Sequence, residues 1–171
     1  MSIVLVTGGA RSGKSSYALQ RAEAYGRKGF IATAIAFDDE IKARIDKHRA
    51  DRDVSYETIE APHDLAAALR LVPDGTQVVV LDCLTVWLGN LMHRHGEKQE
   101  SYEEVSEFLD ELSRIPYDLI VVGNEVGMGI VPEYASARRF RDLAGTVNQR
   151  VGSIADEVVF VVSGQAMMVK G

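Results

Sequence analysis

GGARSGKS, at residues 8–15, is the most informative segment of this chain. It matches the pattern G-x-x-x-x-G-K-[ST], whose glycines let the backbone turn tightly so that several N–H groups converge on one phosphate. Lys14 adds a mobile positive charge, and the Ser15 hydroxyl can ligate Mg²⁺. The alternative is a glycine-rich turn that binds nothing. A strand predicted before the segment and a helix predicted after it favour a phosphate-binding loop, the P-loop.

Short β-branched runs alternate with longer amphipathic stretches along the whole chain, which predicts an α/β fold with a mostly parallel sheet flanked by helices. We expect one domain over residues 1–171. The predicted strands are residues 3–7, 30–34, 56–59, 78–81, 119–123 and 158–163, the last of the sheet. The predicted helices are residues 14–26, 38–51, 63–71, 86–93, 102–115 and 135–155. The core face of the last helix is predicted to be Phe140, Leu143, Val147, Val151 and Ile154.

Composition narrows the class of protein. The net charge of −6 argues against a nucleic-acid binder that works through general phosphate attraction. The single cysteine, Cys83, allows no disulfide within the chain and suits a reducing compartment. We read it as a small core residue rather than a nucleophile. No apolar stretch approaches the length that crosses a bilayer, so we expect a cytoplasmic protein without a membrane span.

A P-loop protein also needs an acidic residue at the end of a buried strand to organise its metal. Asp82 follows four apolar residues and is our candidate for that role. The alternative is a carboxylate that only caps the next helix through the amides of Thr85 or Val86. The position of Asp82 directly after a continuous apolar run favours the metal.

Two common P-loop classes fit poorly. A regulatory GTPase would carry N-K-x-D after a late strand, whereas this chain has NEVG at residues 124–127. A nucleoside monophosphate kinase would need an arginine-rich lid. The cluster RRFR at residues 138–141 can serve as one, but taken alone it is more simply the solvated face of the long helix.

The charged helix predicted at residues 38–51 is the least ordinary segment. Glu40, Arg44 and His48 are spaced by four residues and share one face. His48 is either a surface histidine in a helix laced with ion pairs or a nucleophile or acid/base facing the P-loop. Spacing alone does not decide between these interpretations.

Several segments together resemble one family. They are GGARSGKS (8–15), DDEIKARIDKHRADR (38–52), ETIEAP (57–62), LDCLTVWLGNL (81–91), NEVGMGIVPEYASARRFRDLAGTVNQR (124–150) and ADEVVFVVSG (155–164). In this order they resemble the bifunctional adenosylcobinamide kinase/adenosylcobinamide-phosphate guanylyltransferases of cobalamin biosynthesis. The resemblance implies a RecA-like P-loop domain, a homotrimer, and two reactions. The first phosphorylates adenosylcobinamide with ATP or GTP, and the second transfers GMP from GTP to that phosphate.

The same resemblance implies the site residues. His48 would be the histidine that carries GMP, with Lys47 where some members have a second histidine, and Lys14 would join it in catalysis. Ser15 and Asp82 would hold Mg²⁺, and Glu is the alternative residue at position 82 in the family. The implied nucleotide-binding residues are Gly8, Gly9, Ala10, Arg11, Ser12, Gly13, Lys14, Ser15, Ala32, Thr33, Ala34, Arg49, Ala50, Asp51, Arg52, Glu60 and Asp82.

Two other functions stay open from the sequence. One is a kinase that has lost the transferase half, and the other is a nucleotide-binding or sensor protein without catalysis. The tail at residues 165–171 matches the family poorly and receives no function.

Overall fold

Seven strands form one sheet in a computed structural model that describes residues 1–35, 56–97 and 101–171. The strands are β1 (Ile3–Gly8), β2 (Lys28–Ala32), β3 (Tyr56–Glu60), β4 (Val78–Asp82), β5 (Asp118–Asn124), β6 (Glu157–Val162) and β7 (Gln165–Lys170). Their order is β3-β2-β4-β5-β1-β6-β7, and all pairs are parallel except β6 with β7. The predicted α/β class with a mostly parallel sheet is therefore confirmed. One strand, β5, separates the P-loop strand β1 from β4, which ends in Asp82.

Helices cover both faces of this sheet. Within the described residues they are α1 (Lys14–Ala22), α2 (Leu65–Arg70), α3 (Leu84–His95), α4 (Glu103–Glu111) and α5 (Ala135–Ile154). Alternate residues of β1 point to opposite faces. Val4 and Val6 belong to the core that includes Ala18 and Ala22 of α1, whereas Ile3 and Leu5 belong to the core built by the other four helices.

Burial on both faces explains why the central strands read as continuous apolar runs. All four residues of β4 before Asp82 have fully buried side chains, as expected for a parallel strand covered on two sides. The larger core contains the rings of Trp87 and Phe108, whose centroids lie 5.4 Å apart in an edge-to-face arrangement. Each such apolar side chain stabilises the fold by roughly 1.5–3 kcal/mol through burial.

Some predicted bounds are wrong. Helix α1 stops at Ala22 rather than at residue 26, because the chain turns there through a hydrogen bond from the Tyr25 amide to the Ala22 carbonyl. Helix α4 ends at Glu111, four residues before the predicted end. Ile154 is not a core residue of α5: it is 44% exposed at the last position of the helix.

The sheet also has a strand that the sequence did not predict. β6 is not the last strand, because Ser163 and Gly164 turn the chain back and β7 pairs antiparallel with β6. Both turn residues have positive φ, 51° and 78°, which suits a two-residue hairpin loop. The charged helix predicted at residues 38–51 lies outside the described residues. No helix that the structure describes has the length and apolar character of a membrane span.

Candidate functional site

The P-loop joins the end of β1 to the start of α1, and two of its glycines are required by its geometry. Gly8 has φ 146°, and a Cβ there would approach the Val161 carbonyl oxygen to 2.3 Å. Gly13 has φ 102° and precedes the first residue of α1. Because side chains are excluded at both positions, the loop brings its backbone amides and the positive end of α1 to the same place. That arrangement suits an anionic phosphate group.

Lys14 is nearly buried, with 6% of its surface exposed. Its ammonium group donates hydrogen bonds to the Gly9 carbonyl at 2.6 Å and to the Ser12 hydroxyl at 3.4 Å. Burial lowers the pKa of Lys14 below its usual value, although Cys83 and Asp82 act in the opposite direction. The ammonium therefore lies within the loop, beside neutral oxygens, where an anionic phosphate would relieve the cost of its burial.

Three of the predicted site residues share one row of the sheet. Ala32 of β2 pairs with Glu60 of β3 on one side and with Asp82 of β4 on the other. The row continues through Val122 to Val6, two residues before the P-loop begins. The carboxyl ends of parallel strands therefore collect Glu60, Asp82 and the P-loop along a single edge, the usual ligand-binding edge of open α/β sheets.

Asp82 does not cap the helix that follows it. The N-cap of α3 is Cys83, so the carboxylate stands one residue before the cap. The Asp82–Cys83 peptide bond is cis. Cys83 is buried, as predicted, and burial raises the pKa of its thiol to about 12, which makes it a core residue and not a nucleophile at neutral pH.

A buried polar clamp, formed by Thr33, Cys83 and Asn90, connects three strand ends. The Thr33 hydroxyl accepts a hydrogen bond from the Cys83 amide at 2.8 Å and donates one to the Cys83 carbonyl at 2.9 Å. The Asn90 side-chain amide donates to the carbonyls of Thr33 and Pro62 at 2.8 and 3.0 Å. The side chain of Thr33, predicted to contact nucleotide, thus holds the residue after Asp82 in the described structure.

Asn90 is a residue that sequence reasoning missed. It lies on the buried side of α3 beside Trp87 and Leu91, and its side chain is buried with theirs. A lone amide on an apolar helix face was the signal that could have indicated a buried polar contact. Its bonds to the segments after β2 and β3 fix the geometry of the edge that holds Glu60 and Asp82.

The strand between β1 and β4 also contributes to this edge. The Glu125 amide donates to the Gly8 carbonyl at 2.9 Å, and the Asn124 amide donates to the Thr85 hydroxyl at 2.7 Å. The Asn148 side chain of α5 donates to the Asn124 carbonyl at 3.1 Å. The end of β5 is therefore tied to the P-loop, to α3 and to α5.

The β6–β7 turn supports the P-loop from the opposite side. The Gly164 amide donates to the Ser12 carbonyl at 2.8 Å, and a Cβ on Gly13 would come 3.3 Å from the Gly164 Cα atom. The C-terminal hairpin thus packs against the P-loop, although no role was predicted for its second strand.

The remaining predicted residues divide into two groups. Ala34 is exposed just past the clamp, and Glu60 lies beside a cavity of about 310 Å³ between β3 and α2. The residues of the charged segment, His48, Arg49, Ala50, Asp51 and Arg52, lie outside the described residues.

In the RRFR cluster, Arg138 is not a free surface charge, because its guanidinium donates to the carbonyls of Pro132 and Glu133 at 2.9 and 2.6 Å.

The donor set at this edge fits Mg²⁺. Ser15 stands in the first turn of α1, and Asp82 ends β4. Within residues 1–35, 56–97 and 101–171 there is no cluster of three or more His, Cys, Asp or Glu that could hold a metal ion. Mg²⁺ is commonly held by one or two protein oxygens together with nucleotide phosphates, and a serine with one carboxylate supplies that number.

Comparisons with known proteins show which family the chain resembles. The sequence pattern of the family described as "Cobinamide kinase / cobinamide phosphate guanyltransferase" matches residues 4–169. A protein of Escherichia coli strain K12, named bifunctional adenosylcobalamin biosynthesis protein CobU, is 38% identical over 180 residues, which cover 98% of this chain and 99% of that protein. The bifunctional adenosylcobalamin biosynthesis protein CobP of Pseudomonas aeruginosa is 40% identical over 168 residues, which cover 98% and 96%.

Proposed function

The chain belongs to the cobinamide kinase / cobinamide phosphate guanyltransferase family, and we propose that it performs both reactions at the one site built on residues 8–15. It is a bifunctional enzyme of adenosylcobalamin biosynthesis. The first reaction phosphorylates the aminopropanol hydroxyl of adenosylcobinamide with ATP or GTP. The second joins GMP from GTP to that phosphate and releases pyrophosphate, which gives adenosylcobinamide-GDP.

In the kinase step, the P-loop amides and Lys14 hold the triphosphate. The hydroxyl oxygen of the substrate attacks the γ-phosphorus, the bond from that phosphorus to the β,γ-bridging oxygen breaks so that the nucleoside diphosphate leaves, and the hydroxyl proton passes to water. The Lys14 ammonium contacts the Gly9 carbonyl within the loop and would turn from it to a phosphate oxygen of the bound nucleotide. Its positive charge would stabilise the negative charge that develops on that phosphate. Mg²⁺ held by Ser15 and Asp82 would neutralise phosphate charge when bound.

In the transferase step, we propose that His48 is the group that carries GMP. A ring nitrogen of neutral His48 attacks the α-phosphorus, a P–N bond forms, and pyrophosphate leaves. A phosphate oxygen of adenosylcobinamide phosphate then attacks the same phosphorus and the P–N bond breaks. A histidine with an ordinary pKa of about 6.5 is mostly neutral at pH 7, so the nucleophile needs no special activation. Arg49 and Arg52 would stabilise the departing pyrophosphate.

The observation that carries the proposal is the shared register of Glu60, Ala32 and Asp82 next to the P-loop. A single nucleotide site that has acidic side chains and backbone groups in one row of the sheet suits two successive reactions, each of which uses its own molecule of nucleoside triphosphate. Covalent capture separates the transfer into two displacements and lets the site release pyrophosphate before the second phosphate enters. Ala34 and Asp51 complete the proposed nucleotide contacts, together with Ala50 and the backbone of Thr33.

The test is covalent labelling. Wild-type protein incubated with Mg²⁺ and GTP labelled at the α-phosphate should acquire label that is lost in acid and kept in alkali. His48→Ala should remain unlabelled while it still phosphorylates adenosylcobinamide. The matched control is His93→Ala, an exposed histidine on α3, which should label like wild type. Undiminished label on the His48 variant would remove this histidine from the mechanism.

Labelling also separates the two alternatives. A kinase without transferase activity would phosphorylate adenosylcobinamide and never become labelled. A nucleotide sensor would bind GTP and release neither labelled product nor pyrophosphate when adenosylcobinamide phosphate is added. A pyrophosphate assay with and without the corrinoid phosphate therefore completes the experiment.

Assembly and location belong to the same proposal. We expect a homotrimer, as the resemblance implies, and a location in the cytoplasm, which the single cysteine of the sequence favours. The exposed apolar side chains of β7, Met167, Met168 and Val169, are consistent with a contact between subunits. Light scattering on the purified protein tests the trimer through its mass.

A further inference from the structure

The loop between β5 and α5, residues 125–134, exposes an unusual set of large apolar side chains. Ile130 is 97% exposed and Met128 is 79% exposed. Single exposed apolar residues are ordinary on protein surfaces, whereas a contiguous group indicates a binding surface. We call this surface the apolar loop, and its exposed members are Val126, Met128, Ile130, Val131 and Tyr134.

Both ends of the apolar loop are held by hydrogen bonds. The Glu125 carboxylate accepts from the amides of Gly127 and Met128. At the other end, the Arg138 guanidinium holds the carbonyls of Pro132 and Glu133. The loop is therefore shaped before any partner arrives, which reduces the entropy lost on binding.

The apolar loop adjoins the phosphate site directly. The Glu125 amide donates to the Gly8 carbonyl, and Asn124 is paired with Gly8 in the sheet register. A molecule whose hydroxyl receives a phosphoryl group at the P-loop must place the rest of its body on the neighbouring surface. A large substrate would therefore lie over the apolar loop.

We propose that the apolar loop binds the corrin ring of the corrinoid substrate. This inference rests on the proposed function and locates the second substrate of the same site. The corrin ring is broad and bears methyl groups between amide-bearing side chains, so it can contact Met128, Ile130 and Val131 while its amides bond to backbone groups of the loop. Tyr134 adds a flat ring with a polar end, a type of side chain common at binding surfaces.

A second copy of the chain is the competing occupant, and the fold offers it a better place. Within the described part of the chain, strand β7 is an edge strand that pairs on one side with β6, and it carries the exposed residues Met167, Met168 and Val169. An edge of this kind suits association between chains. This edge is separated from the apolar loop, which follows β5, because β1 and β6 lie between β5 and β7 in the sheet.

The experiment compares Ile130→Asn with Val169→Asn, a matched change on β7 at a residue that is 66% exposed. For each variant, KM for adenosylcobinamide, equilibrium binding of adenosylcobinamide, Kd for GTP and the mass in solution are measured. We expect Ile130→Asn to raise KM and weaken corrinoid binding about tenfold or more, since a whole apolar side chain leaves the contact. Its Kd for GTP and its mass should stay at the wild-type values, and Val169→Asn should keep the wild-type KM.

The outcomes separate the inference from the function on which it rests. An unchanged KM in Ile130→Asn, beside an active wild type, would overturn the inference alone. A change of mass in this variant would also overturn it and assign the loop to a subunit contact. A wild type that neither binds nor phosphorylates adenosylcobinamide would overturn the proposed function and the inference together.

Discussion

The two ends of the parallel strands differ in how their charged side chains are paired. We call the end at which these strands begin the amino edge and the end at which they finish the carboxyl edge. At the amino edge, carboxylates are fully engaged: Asp118 accepts from the Ser2 amide and the Tyr25 hydroxyl, both at 2.7 Å, and Glu157 pairs with Arg21 at 2.6 Å. At the carboxyl edge, the ammonium of Lys14 has two neutral oxygens as its hydrogen-bond partners in the described structure. Charges at the first edge stabilise the fold, and the charge at the second is held ready for a ligand.

A buried hydroxyl also lies at the carboxyl edge. Among the described residues, the Thr7 hydroxyl is buried without a hydrogen-bond partner, one residue before the P-loop begins. Unpaired buried polar groups destabilise a fold, so stability is not the only demand on the residues beside the P-loop. Substitutions at the two edges should therefore separate activity from stability.

The largest effect is expected for Lys14→Met. The methionine keeps much of the apolar stem and removes the charge, so kcat/KM should fall about a hundredfold to a thousandfold in both reactions. Because burial disfavours the charged form of Lys14, the free energy of unfolding should stay the same or rise. Steady-state kinetics and urea unfolding on the same preparation check this. A variant that loses stability in parallel with activity would contradict the division between the edges.

The sequence was sufficient to predict the central strands of the sheet, whose ends form the middle of the amino and carboxyl edges. Strands β1, β4 and β5 contain continuous apolar runs, as expected for parallel strands buried on both faces. Strand β7 was missed because each of its residues is exposed, so it has no alternating apolar pattern. The pair Ser163-Gly164 between two β-rich segments was the available signal for a hairpin.

Prediction of the site had a different limit. The P-loop motif predicted Lys14 and Ser15 as site residues, and the apolar run before Asp82 predicted that carboxylate. The structure brings the P-loop and the end of β4 to one edge. Thr33 and Asn90 bond across long stretches of chain, between segments 50 and 57 residues apart. Local spacing carries no information about such contacts, so the clamp was visible only in the fold.

The next effect concerns the clamp, whose polar side chains at the carboxyl edge are engaged in hydrogen bonds as the carboxylates of the amino edge are. Thr33→Val keeps the shape of the side chain but leaves the Cys83 amide without its hydroxyl partner and removes one of the two donors to the Cys83 carbonyl, which also accepts from the Trp87 amide. We expect a loss of about 1–3 kcal/mol in the free energy of unfolding. Thr33→Ser keeps the hydroxyl and is the matched control, which should lose much less. Equal losses in urea unfolding would show that the hydroxyl is not what holds this edge.

A smaller effect is expected at the amino edge from Asp118→Asn. Asparagine retains one acceptor oxygen for the Ser2 amide or the Tyr25 hydroxyl but loses the charge, so unfolding should become easier by about 1–2 kcal/mol. Both catalytic rates should stay at wild-type values, in contrast to Lys14→Met. Lower activity in fully folded Asp118→Asn protein would mean that the amino edge is coupled to the site.

The smallest effect is the pH dependence of that same carboxylate. Partial burial by itself raises the pKa of Asp118, but the hydrogen bonds from Tyr25 and Ser2 and the N-terminal ammonium outweigh it, so the pKa lies below the usual 3.8. A carboxylate with a lowered pKa in the folded state stabilises the protein above the unfolded value, and this contribution disappears as the pH falls through the folded pKa.

Urea unfolding of wild type and Asp118→Asn between pH 7 and pH 3 measures this contribution. The difference in unfolding free energy between the two proteins should be constant near neutral pH and should shrink once the pH falls below about 3.8. Asp110→Asn, at an exposed position on α4, is the control and should give a curve nearly parallel to wild type. A difference for Asp118→Asn that does not change with pH would mean that only the hydrogen-bond geometry, and not the charge, stabilises the amino edge.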